Sequence, residues 1–460
     1  MSDFEVAGRR VVVVGAARSG VAAAELLARR GAIVTLADLK PDLPDADRLR
    51  IAGVALALGP HEPQLFGSAD LVVLSPGVPL RQPALARAKR AKVPIVGELE
   101  LASRLLRGRI VAITGTKGKS TTTTLVGRML GAAGFDAPVS GNIGAPLAAK
   151  VDASTDATIH VVEVSSFQLE TTATFHPWIA ALLNLSADHL DRHANLREYT
   201  AAKARVFANQ GAGDWTVVNA DDPPAMRLAA RRARAPKRLF ALDRALDEGT
   251  VLSNGWITWR AHGQPDVPLL PVGEVRLLGR HLLSDVLAAS TIAGLAGAGP
   301  DAIRSAVSGF TGLEHALEPV ATVNGVRFVN DSKATNVESA RRAIESFERG
   351  VVPIIGGRFK GGDFRDLRPV IGARAAAVVA IGEARGIVRE ALADVVPVVD
   401  AASMSEAVRA AFHAAPPEGV VVLAPACSSF DMFRDYAERG RVFKQEVLKL
   451  VEERGGRREP

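Results

Sequence analysis

Short apolar runs, rich in valine and isoleucine, recur along the chain, and each breaks off at glycine or polar residues before a helical stretch begins. Examples are RVVVV at 10–14, IVTLAD at 33–38, VAITGT at 111–116, IHVVEV at 159–164, VRFVNDS at 326–332, VVPIIGG at 351–357 and VVVLAPA at 420–426. Runs this short and this continuously apolar are buried on both faces. Strands that alternate with helices build parallel sheets covered by those helices. The pattern predicts an α/β fold. Over 460 residues the runs fall into three series, which predicts three domains at residues 1–97, 98–312 and 313–460. Each is expected to be a mainly parallel sheet with flanking helices: Rossmann-like in the first, P-loop-type in the second and Rossmann-like in the third.

Several function classes are excluded early. One cysteine rules out a disulfide framework. No apolar run approaches the roughly 18 residues that span a bilayer, and MSDFEVAGRR opens with acidic residues rather than a signal peptide. A cytoplasmic protein without membrane insertion is expected. The net charge of +6 is scattered, and aromatics are only 5%, with no basic-aromatic stacking platform. Nucleic acid is therefore not an expected partner. The charge reads either as general arginine richness or as attraction for small anions.

The most informative loop is GTKGKS, Gly115 to Ser120, between a β-branched strand and a helix. Backbone N–H groups at such a helix start hold phosphate oxygens, Lys119 neutralises the terminal phosphates, and Ser120 ligates Mg²⁺. Its spacing is shorter than the usual P-loop, with Ile113 where the first glycine would stand. Glu163 ends IHVVE, flanked by valines; a buried carboxylate there must pair with a cation or bind metal. NLSADHLDRH, residues 184–193, ends another apolar run with two aspartates and two histidines. In an open parallel sheet, three such strand ends share one crevice. GAARSG, Gly15 to Gly20, is a weaker signal. Asp38 ends the next strand where a ribose-binding acid would sit, but Ala17 replaces the glycine that lets backbone approach a pyrophosphate. A packing turn, a uridine-type nucleotide or a nicotinamide-dependent oxidoreductase all remain open on this loop alone. In the third series NDSKATN (330–336), GGRFKGGDF (356–364) and PACSSFD (425–431) follow strands and suggest a second binding surface; Cys427 reads as a small buried residue.

GTKGKST, GNIG, EVSSFQLETT, DHLDRH, NDSKATN and PACSSFDMF lie between residues 115 and 433. In this combination the sequence closely resembles the Mur ligase family, and SSFQLE with DHLDRH favours its D-glutamate-adding branch. The resemblance implies a UDP-binding domain, an ATPase domain and an amino-acid-binding domain. It implies a reaction in which ATP activates the carboxylate of UDP-N-acetylmuramoyl-L-alanine as an acyl phosphate, which the amine of D-glutamate attacks. L-glutamate or another acidic amino acid is the alternative within the family. By the same resemblance Lys119, Glu163, His189 and Lys203 are catalytic. Ser120, Glu163, His189 and Lys203 surround magnesium, and Lys203 is carried as a carbamate, although the local helix pattern alone gives a solvated lysine. Gly115, Thr116, Lys117, Gly118, Lys119, Ser120 and Thr121 hold ATP, with Asp285 on adenine and Asp331 on the ribose side. Ser19, Asp38, Ser75, Asn142, Ser165 and Gln168 face the sugar nucleotide; Thr335, Lys360, Ser429 and Tyr436 face glutamate. A monomer is expected.

Two departures stand out. The family's His-Asn-x-x-Asn appears here as GRHLLSD, which puts Leu282 and Asp285 at the two asparagine positions. Its His-Arg pair appears as His315-Ala316, which removes a guanidinium and leaves Arg280 or Arg358 as possible substitutes.

Overall fold

The computed structural model describes residues 4–188 and 192–458. Among these residues there are three sheets. The first has five parallel strands in the spatial order Ala55–Leu58, Ile33–Asp38, Arg10–Val14, Leu71–Leu74, Ile95–Gly97. Chain order reverses between Arg10–Val14 and Leu71–Leu74, so the loops after these two strands diverge and open a crevice. The helix Arg18–Arg29 covers the sheet with Ala23, Ala24, Leu26 and Leu27, all fully buried at helical spacing.

The second sheet has nine strands, with Ile159–Glu163, Arg109–Thr114 and Ile179–Leu182 adjacent and parallel near one end. Its other edge is an antiparallel ribbon, Gly249–Ser253, Trp256–Arg260 and Val267–Pro271. The third has seven strands. Val351–Gly356, Val420–Leu423 and Val326–Asn330 are parallel neighbours, and Glu318–Val323 runs antiparallel beside them. The fold is thus mainly parallel α/β, as expected from the apolar runs.

The chain divides into two compact units, Met1–Glu274 with Ser284–Val307, and Val275–Leu283 with Ser308–Pro460. The first unit holds two sheets welded together. One hydrophobic cluster runs from Val13 and Leu27 through Leu99 and Leu101 to Ala148, Val162 and Phe207. The helix Glu98–Leu105, directly after the last strand of the first sheet, grips the second domain with two buried acids. Glu100 accepts backbone hydrogen bonds from Ala173, Thr174 and Phe175, and Glu98 accepts one from Ala148 at 2.7 Å. Gly97 is required at this joint, because a Cβ there would lie 2.1 Å from the Thr171 hydroxyl.

Candidate active site

The phosphate loop is built on Arg109–Thr114 and runs into the helix Lys119–Ala132. Gly118 caps that helix at φ +81°, a left-handed conformation, and a Cβ there would fall 2.1 Å from Asp285 Oδ1. Glycine is needed at this position on both counts. The N–H groups of Thr116 and Lys117 are already taken by Asn184 Oδ1, at 3.1 and 2.8 Å, and Asn184 Nδ2 donates back to Lys117 O. A helix start such as the one from Gly118 onward is where first-turn N–H groups point outward, the arrangement by which helices hold phosphate. Asn184 was not singled out for this role from the sequence; its signal is an amide two residues past a strand end.

Two lysines meet over this loop. Lys119 Nζ donates to Gly115 O and Thr116 O, each at 3.0 Å. Lys203 Nζ donates to the same Gly115 O at 2.7 Å and to Thr114 Oγ1 at 3.3 Å. Lys203 is 2% exposed, against the solvated lysine that the helix pattern by itself suggests. Burial, reinforced by Lys119, holds its amine well below the usual lysine range, while Asp188 and Glu163 pull the other way. The Tyr199 ring lies under Lys203 at 4.8 Å, and its hydroxyl bonds Thr116 Oγ1 at 3.0 Å.

Glu163, 1% exposed, accepts from Asn142 Nδ2 at 2.7 Å through one oxygen, while its Oε2 is buried without a hydrogen-bond partner among the described residues. An orphaned buried carboxylate oxygen is costly unless a cation reaches it. This fits a metal ion, but among the described residues no group of three or more His, Cys, Asp or Glu side chains could hold one by themselves. Such a donor set suits Mg²⁺, which takes one or two carboxylates and completes its shell with water and phosphate.

The apolar strand before NLSADH ends at Leu182, earlier than the motif. Asp188 lies in the extended stretch beyond it and pairs with Lys117 at 3.3 Å. His189 lies outside the described residues. His193 is buried against Glu170 at 3.2 Å and Ser166 Oγ at 3.0 Å.

On the first sheet, Asp38 accepts from the N–H groups of Ala16 at 2.6 Å and Lys40 at 2.9 Å. Burial would raise its pKa, but these bonds with the Lys40 charge bring it below the usual value. Ser75, 3% exposed, carries a buried hydroxyl with no partner beside Gly15. Ser19 is half-buried in the first turn of the next helix. Ser165 and Gln168 form a capping box for Ser166–Leu169, with Gln168 Oε1 accepting from the Ser165 N–H and hydroxyl.

In the second unit, the three polar loops leave the C-terminal ends of adjacent parallel strands. Arg439, 1% exposed, joins two of them by donating to Ser332 Oγ, Ser332 O and Cys427 O. Burial pushes the Asp331 carboxyl up to about 7, against a hydrogen bond from the Leu317 N–H and the nearby Lys333 charge. Lys360 is exposed, with its ammonium 5.6 Å from the Phe430 ring centroid. Thr335 is half-buried, Ser429 is buried, and Tyr436 is exposed with its ring edge-on to His315. Burial also raises the Cys427 thiol to about 12, which makes it inert packing. Leu282 packs in this unit's core. Arg358 is already engaged with Glu383 at 3.0 Å.

Family models match in sequence: "Mur ligase MurD-like, N-terminal domain" at residues 9–97, "Mur ligase middle domain" at 113–293 and "Mur ligase, glutamate ligase domain" at 317–427. A UDP-N-acetylmuramoylalanine--D-glutamate ligase of Acidobacterium capsulatum is 47% identical over 97% of this chain and 97% of its own length. The protein of the same name in Solibacter usitatus is 44% identical over 96% and 98%. Among solved structures, a MurF ligase from Thermotoga maritima in complex with ADP superposes with a TM-score of 0.60 at 14% identity, covering 97% of this chain and 96% of that one. A UDP-N-acetylmuramate-alanine ligase from the same organism gives 0.59 at 18% identity, over 96% and 100%.

Proposed function

The chain belongs to the Mur ligase family, and from that premise we infer that it uses ATP to join D-glutamate to UDP-N-acetylmuramoyl-L-alanine. The observation that carries this reading is the meeting of Lys119, Lys203 and the open oxygen of Glu163 around a glycine-capped phosphate loop. A carboxylate is a poor electrophile with a poor leaving group. Its oxygen attacks the terminal phosphorus of ATP, ADP leaves, and the acid becomes an acyl phosphate. The amine then adds to the acyl carbon, loses a proton, and the tetrahedral intermediate expels phosphate. Both steps bring anions together, so the cationic Lys119 and the first-turn N–H groups from Gly118 onward act where charge accumulates. Ser120, Glu163, His189 and Lys203, the last as a carbamate, are the residues we assign to Mg²⁺, which screens phosphate charge when bound. The lowered pKa of Lys203 favours the neutral amine that carbamate formation needs.

We assign residues 1–97 to the sugar nucleotide, with Ser19, Asp38 and Ser75 at the crevice and Asn142, Ser165 and Gln168 continuing from the second sheet. Residues 98–312 take ATP, and 313–460 take glutamate through Thr335, Lys360, Ser429 and Tyr436. The deciding assay offers ATP, UDP-N-acetylmuramoyl-L-alanine and either enantiomer of glutamate. Phosphate and amide product are expected only with all three substrates and the D form. Phosphate release without the sugar nucleotide would point to a plain ATPase, and turnover of NAD(P)H to an oxidoreductase. Product from L-glutamate would move the chain to a different branch of the family.

A further inference from the structure

The sugar nucleotide of the proposed reaction has to reach from the crevice of the first sheet to the phosphate loop of the second, both inside the first compact unit. Something must fix the separation of these two sites. We propose that Arg192 is the positioning residue that does so, and that it sets sugar-nucleotide affinity without touching ATP or glutamate. The proposal rests on the ligase reading.

Arg192 ties two segments to its own. Its guanidinium donates to Gly77 O at 3.2 Å and Val78 O at 3.1 Å, in the loop that carries Ser75. It lies 3.5 Å from Glu170 Oε2 and 5.0 Å over the Phe167 ring, in the SSFQLE segment that carries Ser165 and Gln168. Its own backbone belongs to the DHLDRH segment that carries His189. Glu170 in turn is fixed by His193, which also meets Ser166 Oγ.

A second link, Arg81 to Glu198 at 2.9 Å, also joins the two domains, but its side chains are 80% and 40% exposed. Arg192 and Glu170 are 17% and 21% exposed. Exposed pairs contribute little, whereas charge-assisted bonds shielded from water are stronger. Beside the shared hydrophobic core, Arg192 is therefore the least exposed charged link between the two domains, since the side chains of Arg81–Glu198 and of the Arg29 and Arg30 pairs with Asp152 are all 40% exposed or more. Only a planar, multiply donating cation can reach two carbonyls and a carboxylate while stacked on a ring, so lysine is not an equivalent.

The test compares wild type with Arg192→Lys, Arg192→Gln and Arg81→Ala, measuring UDP-N-acetylmuramoyl-L-alanine binding by calorimetry, the KM of each substrate, kcat and the thermal midpoint. Both Arg192 variants are expected to weaken sugar-nucleotide binding about tenfold, with the KM values for ATP and D-glutamate held within about twofold. Arg81→Ala should change sugar-nucleotide affinity less than about twofold. Unchanged sugar-nucleotide affinity in Arg192→Lys would overturn the proposal. So would a parallel rise in all three KM values with a lowered midpoint, which is the signature of a merely structural role. If wild type itself neither binds the sugar nucleotide nor releases phosphate, the ligase reading fails and this inference falls with it. If wild type does both and the variants match it, this inference alone fails.

Discussion

Gly118 shows how tightly a single position is constrained. Its φ of +81° costs an L-residue roughly 1–2 kcal/mol, and its missing side chain lets the Asp285 carboxylate approach within 2.1 Å of where a Cβ would be. Gly118→Ala should push Asp285 away and tilt the helix start that offers N–H groups to phosphate. Thermal-shift titration is expected to lose the response to Mg-ATP while keeping that to the sugar nucleotide. A full ATP response would show that the loop tolerates a Cβ and that Asp285 is irrelevant to it. Lys119 and Lys203 share one carbonyl oxygen and still differ in expected behaviour. Lys119→Ala removes the cation beside the phosphates, and phosphate release should fall by about 10³-fold. Lys203→Ala leaves a small buried hole next to Glu163, and short carboxylic acids should restore part of the lost rate by supplying the missing anion. Rescue of Lys119→Ala by the same acids, or none for Lys203→Ala, would reverse the roles given to the two lysines.

At the scale of elements, the joint between the first two sheets carries its own titration. Glu98 at the start of Glu98–Leu105 is fully buried, and burial pushes its carboxyl up to about 7 despite N–H donors at Leu147 and Ala148. An acid with a raised folded-state pKa binds more protons folded than unfolded, so stability falls as pH rises from the unfolded value of about 4.5 to 7. Glu98→Gln removes that loss. Its thermal midpoint should match wild type near pH 4 and exceed it above pH 7, by up to about 3 kcal/mol in stability. Equal midpoints at both pH values would mean that the carboxyl is solvated. The same elements show what was legible in the sequence. Continuous valine and isoleucine runs marked Arg10–Val14, Val351–Gly356 and Val420–Leu423, because strands buried on both faces are mostly apolar. The ribbon Gly249–Pro271 mixes Trp, Arg and Pro into its strands and gives no such signal. Long-range pairings were equally silent. Asn142 on Glu163, Asn184 on the phosphate loop and Tyr199 under Lys203 depend on which strands become neighbours, and local spacing says nothing about that. Lys203 looked solvated because the helix pattern does not show that Thr114 and Gly115, at the end of a strand distant in sequence, cover its ammonium.

For the whole molecule, the two compact units divide the chemistry. The crevice assigned to the sugar nucleotide and the phosphate loop share the first unit, and the three polar loops assigned to glutamate belong to the second. Ligands should therefore protect backbone amides in two separate patterns, because exchange slows only where a bound group restricts local opening. In hydrogen-exchange experiments the sugar nucleotide is expected to protect residues 15–20 and 75–78. A non-hydrolysable ATP analogue should protect 116–121. Since these segments are tied through a common core and through Arg192, each ligand should also slow exchange modestly in the other's segment. Added D-glutamate, with both other ligands present, should protect 330–336, 356–364 and 425–431 and leave 15–20 unchanged. These are the loops that Arg439 and the Ser428–Arg358 backbone pair hold together, so they should respond as one block. If D-glutamate protected only segments of the first unit, the amino-acid site would have to be moved there, and Thr335, Lys360, Ser429 and Tyr436 would lose their assigned role.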